Sequence, residues 1–238
     1  MVKINIIGTG NVATHLLKAF AGKAETVSVN PHTMEGFDSS ADFSIIAVSD
    51  NAIREVADAI PPTDGIIAHT SGTTPADILV FKGIRTGVFY PLQTFSKNLE
   101  LDYSHIPFFV ESNDPSTQDS LAGLASKISD SVTIADSDKR KALHVASVFA
   151  CNFANHMWTI ADKILHDNGM DFEVLRPLLS ETLRKTQSIP PAAAQTGPAA
   201  RNDSKTIDSH MEFLGNDENI AKLYSMITSS IINTSKHP

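Results

Sequence analysis

The sequence predicts an α/β domain over residues 1–136, built on a doubly wound parallel sheet, followed by an all-helical domain over residues 137–238. Three observations predict it. Short apolar runs alternate with helical periodicities as far as Asp136. Those runs hardly alternate with polar residues, as befits strands buried on both faces. Beyond Ser137-Asp138 the strand signals stop, and apolar residues recur at spacings of three and four.

The first strand, Val2-Lys3-Ile4-Asn5-Ile6-Ile7, runs straight into Gly8-Thr9-Gly10-Asn11-Val12-Ala13 and a helix with Val12, Leu16, Ala19 and Phe20 on one face. A strand, Gly-x-Gly-x-x-Ala and a helix together form the dinucleotide-binding fingerprint of the Rossmann fold. Gly8 permits the tight turn, Gly10 lets backbone N–H groups approach a pyrophosphate, and Ala13 lets the helix lie close to the strand. Gly8, Thr9, Gly10, Asn11 and Val12 are therefore candidate cofactor contacts, at the positive end of the helix dipole.

A second strand ends at Asn30, where an Asp or Glu usually bonds the adenosine ribose of NAD. Asn30 does not repel a 2′-phosphate, so NADP is the expected cofactor. No Arg or Lys waits beside it, so NAD stays possible. Between Asn30 and Ser44 there is little room for a crossover helix, which predicts an abbreviated adenine side.

The third strand runs through Val48 to Ser49, and a helix over 51–60 stops at Pro61-Pro62. A fourth strand, 65–69, leads into Thr70-Ser71-Gly72, and a fifth, 86–90, leads into Pro91-Leu92-Gln93. Strands over 107–111 and 132–135 flank a helix over 116–129. Ligands of such sheets bind outside the carboxyl ends of the strands. This adds Val48, Ser49, His69, Thr70 and Ser71 to the cofactor candidates and places Gln93 near a substrate.

In the second half, one helix of ~30 residues, or ~45 Å, is expected from Asp138 to Asp167. On an unbroken helix His144, Cys151, Asn155, Thr159 and Asp162 share a face, with Asn152 slightly to the side. His144 is a candidate general acid. A helix over 171–189 carries Pro177 at a kink or boundary. The turn from Gln195 to Asp203 holds Arg201, suited either to pairing with Asp203 or to clamping a substrate carboxylate or phosphate. His144, Asn152 and Arg201 are the catalytic candidates.

Composition limits the function classes. The chain has 238 residues, enough for a sizeable core, and a net charge of -8 that argues against a general nucleic-acid surface. Its single cysteine, Cys151, forms no internal disulfide, and no run approaches the ~20 apolar residues of a membrane span. A cytoplasmic protein with no membrane or nucleic-acid partner is expected. No Cys/His cluster has metal-ligand spacing, so no metal is expected.

The glycine turn, His69-Thr70-Ser71-Gly72, Tyr90-Pro91-Leu92-Gln93-Thr94-Phe95, Val148-Phe149-Ala150-Cys151-Asn152-Phe153 and the Gln195–Asp203 turn together resemble the Rossmann-like NADP oxidoreductases of the deazaflavin-dependent type. The resemblance spans nearly the whole chain. It implies a helical C-terminal domain similar to that of 6-phosphogluconate dehydrogenase, and a homodimer formed through the long helix. The related β-hydroxyacid dehydrogenases carry Lys-x-x-x-Asn on that helix, whereas this sequence has His144 and Val148. The resemblance thus implies hydride transfer to or from a small polar substrate (an imine, a carbonyl or another redox cofactor) rather than simple hydroxyacid oxidation. A non-catalytic NADP(H)-binding sensor or interaction module is the alternative.

Overall fold

Alternate residues of the central strands bury against different helices, and this is what makes their sequences apolar throughout. Ile4 and Ile6 of β1 (Lys3–Ile7) lie in one core with Ala13, Leu16 and Phe20 of α1 (Asn11–Phe20). Ile7 lies in a second core with Ile53, Val56 and Ala57 of α2 (Ile53–Ala59). The structure is a computed structural model that describes residues 1–83 and 85–236. It divides into two compact units, Met1–Asn152 and the part from Phe153 onward.

The first unit is an α/β layer built on a seven-stranded sheet in the order β2-β1-β3-β4-β5-β6-β7, comprising β2 (Glu25–Val29), β3 (Phe43–Ile46), β4 (Ile66–His69), β5 (Thr86–Pro91), β6 (Phe108–Glu111) and β7 (Val132–Ile134). Every neighbouring pair is parallel except β5 and β6, so the expected parallel sheet is a mostly parallel one. The reversal follows from a connection, residues 92–107, that is fastened to α1. His15 shares hydrogen bonds with Ser96 O and Tyr103 Oη, both at 2.9 Å, and Lys18 reaches Lys97 O and Glu100. α3 (Pro115–Ala125) then joins β6 to β7.

No helix links β2 to β3. The buried Asn5 holds the link instead: its Nδ2 donates to Asp38 O at 2.9 Å, and its Oδ1 accepts from Asp38 N at 3.1 Å. β2 thus reaches β3 across β1 by a loop without a crossover helix, as the sequence suggested.

α4 (Ser137–Ser147) belongs to the first unit by packing, because Arg140 is fully buried there. The long helix does not keep α-helical phase. Residues Val148–Phe153 form a π-helical segment between α4 and α5 (Ala154–Asp167). A π segment bonds i to i+5 and turns through a smaller angle per residue, so it shifts the phase of the helix that follows. The polar stripe expected from His144 through Asp162 is therefore broken: His144 precedes the segment, and Asn155, Thr159 and Asp162 follow it.

The second unit comprises α5, α6 (Arg176–Ser188), α7 (Pro191–Ala194), α8 (Ser204–Leu214) and α9 (Glu218–Lys236). Pro177 sits in the first turn of α6, where its missing N–H costs nothing. Asp203 caps α8, accepting the Thr206 N–H at 3.2 Å. Ala199 and Thr228 are the only buried residues among those described in this unit. Among the described residues no helix is long and apolar enough to cross a membrane.

Candidate functional site

The first turn has the geometry its residue types require. Gly8 adopts φ 145°, and a Cβ there would collide with the Ala47 carbonyl oxygen of the neighbouring strand's end. Its N–H donates to Val29 O at 3.2 Å, fixing the turn against β2. Gly10 is the N-cap of α1, yet no side chain caps the helix. The N–H groups of the first turn therefore keep their donors for another partner. A Cβ on Gly10 would meet no atom within 4 Å. The glycine faces a cleft of about 400 Å³ lined by Thr9, Val12, His32, Val48 and Ser49, among others. An uncapped helix start beside an open cleft fits a pyrophosphate. Asn11 is committed elsewhere, donating to Phe95 O at 2.8 Å.

At the adenosine end, Asn30 Oδ1 accepts the N–H groups of His32, at 2.9 Å, and Thr33, at 3.4 Å. Its carbonyl is thereby used in a turn, and its amide remains a donor. None of the residues lining the cleft is acidic, and the exposed His32 stands among them. The arrangement is suited to a phosphate and unfavourable to nothing in it.

On the next strand, His69 is fully buried at the end of β4. Its Nδ1 accepts the Ser71 N–H at 3.1 Å, and its Nε2 lies 3.4 Å from Pro75 O. Burial, reinforced by the nearby Arg140 charge, pushes its pKa down to about 4, so the ring is neutral. Ser71 Oγ accepts from the N–H groups of Thr73 and Thr74, and Thr70 Oγ1 donates to Ile46 O. Thr73 Oγ1 donates to Asp50 Oδ2 at 2.6 Å. His69, Thr70 and Ser71 thus spend their side chains in shaping the rim. Gln93 behaves similarly, its Oε1 accepting the Thr94 N–H at 2.8 Å.

Helix α4 reaches this rim twice. Arg140 Nη1 donates to Ser71 O at 3.0 Å and Thr74 O at 2.8 Å, while Nη2 donates to Glu111 Oε2 at 2.7 Å. One turn later His144 lies over Gly72, with Nδ1 3.1 Å from Tyr90 Oη. A Cβ on Gly72 would stand 2.5 Å from His144 Nδ1 and 2.9 Å from Tyr90 Cζ. Glycine is required there by space, not by backbone angle.

The comparisons agree with this architecture. Residues 106–231 match the protein family described as "Domain of unknown function (DUF2520)". The chain belongs to that family. No curated protein matches it. Among solved structures, a Bacteroides fragilis protein carrying the provisional name NADP oxidoreductase is 34% identical, with 98% of each chain covered and a TM-score of 0.87. A Thermotoga maritima protein is 19% identical over 98% of each chain, with a TM-score of 0.75. A reductive aminase from Aspergillus terreus, in complex with NADPH and ethyl-5-oxohexanoate, is 15% identical over 96% of this chain and 88% of its own, at a TM-score of 0.65. The last two likenesses concern the fold.

Of the catalytic candidates, His144 reaches the rim in this DUF2520 protein, and Asn152 is exposed in the π-helical segment. Arg201 is exposed in the second unit and forms no ion pair with Asp203, which caps α8 instead. Sequence reasoning passed over Tyr90 and Arg140. Arg140 lies four residues before His144 and therefore on the same helix face, which was the available signal.

Proposed function

We propose that this protein is an NADP(H)-dependent oxidoreductase that transfers hydride to or from a small polar substrate bearing a carbonyl or imine, or to a second redox cofactor of the deazaflavin type. The observation that carries this reading is the uncapped start of α1 opening on a cleft with no acidic lining. The name of the Bacteroides fragilis relative supports it. So does the NADPH bound by the reductive aminase of like fold.

In this reading the N–H groups following Gly10 hold the pyrophosphate, with Thr9 and Val12 as walls. Asn30 Nδ2 and His32 meet the adenosine 2′-phosphate. Val48, Ser49 and the rim backbone at Thr70 and Ser71 flank the nicotinamide half. The bound nicotinamide supplies the hydride chemistry. His144 serves the substrate as hydrogen-bond donor to the atom that gains charge, and Asn152 and Arg201 are assigned to substrate binding. The fingerprint turn positions; the rim reacts.

The same reading includes a homodimer in the cytoplasm. The second unit buries almost nothing, yet Leu178, Leu183, Phe213 and Met226 are each at least 60% exposed. Large apolar side chains left exposed in such number suit an interface, and a second copy of the chain is the partner assigned to them. Cys151, free and exposed, suits a reducing compartment.

The test is NADPH consumption, followed at 340 nm, against ketones, ketones mixed with amines, and a deazaflavin. Turnover with any of them supports the oxidoreductase reading. Tight NADPH binding without turnover across the panel would leave the sensor in its place.

A further inference from the structure

We propose that Tyr90 is the positioning residue of His144, holding the neutral imidazole with its proton on Nε2 so that it presents a hydrogen-bond donor to the lone pair of a carbonyl oxygen or imine nitrogen. The proposal rests on the oxidoreductase reading and specifies the group that polarises the substrate.

Each of the three tyrosines hydrogen-bonds a histidine Nδ1: Tyr103 to His15, Tyr90 to His144 and Tyr224 to His210. The His15 pair shows the sense of such a bond. His15 Nε2 faces the Ser96 carbonyl, which only accepts, so Nε2 carries the proton and Nδ1 accepts from the tyrosine. His15 thereby has both nitrogens satisfied and serves structure alone.

Tyr90–His144 has the same first half and lacks the second. The Tyr90 hydroxyl has His144 Nδ1 as its hydrogen-bond partner at 3.1 Å, and the two rings are tilted by 58°. Burial pushes the Tyr90 hydroxyl's pKa upward, so it stays protonated and donates. In the opposite sense the proton of the buried Tyr90 hydroxyl would be left without an acceptor, whereas Nε2 belongs to the half-buried His144, where a donor costs less; burial thus fixes the direction of the bond. Among the described residues Nε2 of His144 has no hydrogen-bond partner. A neutral imidazole whose Nδ1 accepts must carry its proton on Nε2.

The rim loop also holds the ring in place. Gly72 lies against both rings with no room for a Cβ. Arg140, one turn earlier on α4, grips the carbonyls of Ser71 and Thr74 on either side of Gly72. The loop therefore cannot retreat from His144 without breaking the Arg140 contacts. Tyr90, at the carboxyl end of β5, stands on the rim where the sheet's ligands bind.

The test has two arms. In full-length protein labelled with 15N-histidine, with His144 assigned by its loss in His144→Gln, wild type should show Nδ1 as the hydrogen-bonded acceptor and Nε2 as the protonated nitrogen at alkaline pH. Tyr90→Phe should shift the Nδ1 resonance toward that of an unbonded ring exchanging between tautomers. Unchanged His144 nitrogens in Tyr90→Phe would overturn the proposal. In the second arm, Tyr90→Phe should lower kcat by about tenfold with KM and NADPH affinity held within twofold, and should cause no further loss in the His144→Gln background. An equal loss in that background, or a loss confined to KM, would overturn it. A wild type without turnover on any acceptor would sink the oxidoreductase reading, and the nitrogen spectra would then decide the pairing alone.

Discussion

Arg140 and Glu111 form a buried ion pair, Nη2 to Oε2 at 2.7 Å, in which the arginine is fully buried and the carboxylate nearly so. It joins α4 to β6 beneath the rim loop, and Ser137 Oγ adds hydrogen bonds to both partners. Among the described residues Arg140 Nε has no partner, so the guanidinium already carries an unmet cost. Removing one member of such a pair strands the other charge in a low dielectric. Glu111→Gln is therefore expected to destabilise the first unit by about 3 kcal/mol, measured by urea unfolding. The double change Glu111→Leu with Arg140→Met should cost less than the single change. It should also weaken NADPH binding, because the rim loop loses its grip at Ser71 and Thr74.

The two fingerprint glycines should fail in different ways. Gly8→Ala places a methyl against the Ala47 carbonyl in a backbone conformation that alanine resists, so it should unfold the turn and lower stability. Gly10→Leu meets open space in the protein. Its melting temperature should stay within about 2 °C of wild type, an effect below 1 kcal/mol. NADPH affinity should nevertheless fall by more than about tenfold, since the side chain occupies the phosphate position. Differential scanning fluorimetry and NADPH fluorescence titration separate the two outcomes.

His69 gives the protein a defined acid weakness. Burial holds its pKa at about 4 against the usual 6.5, so between those values the unfolded chain binds a proton that the native protein refuses. Stability from this residue is complete above pH 6.5 and declines as pH falls toward 4, by on the order of 3 kcal/mol in all. His69→Asn, whose Oδ1 replaces Nδ1 as acceptor for the Ser71 N–H, should flatten the urea midpoint between pH 7 and pH 4.5. An equally steep profile in the variant would assign the acid sensitivity elsewhere.

The second unit's exposed apolar side chains should hold two copies together. Leu183→Glu and Met226→Asp, taken together, should convert a dimer to a monomer in light scattering coupled to size exclusion. A wild-type monomer at micromolar concentration would contradict the assignment.

Much of this was readable from the residues. The buried strands declared themselves because apolar side chains pack on both faces, and Gly8 because only glycine satisfies the turn. The reversal of β6 was hidden, since strand direction depends on where residues 92–107 are fastened, and His15 and Asn11 fasten them from 80 or more positions away. The π-helical segment was hidden too. Nothing in Val148-Phe149-Ala150-Cys151-Asn152-Phe153 distinguishes it from α-helix locally, and it dissolved a stripe that rested on an unbroken 100° per residue. Arg140 stood out little between Lys139 and Lys141 because its partners, Ser71, Thr74 and Glu111, are remote in sequence.

The central claim is that the cleft at Gly10 holds NADP(H), and the measurement that bears on it most directly is the melting temperature of the wild-type chain with NADPH, NADP, NADH and NAD in turn. At a hundredfold excess over the dissociation constant, a bound nucleotide adds about 2.7 kcal/mol of apparent stability. The predicted result is a clear rise with NADPH or NADP and a smaller one with NADH or NAD, abolished in Gly10→Leu. No shift with any of the four nucleotides would contradict the account.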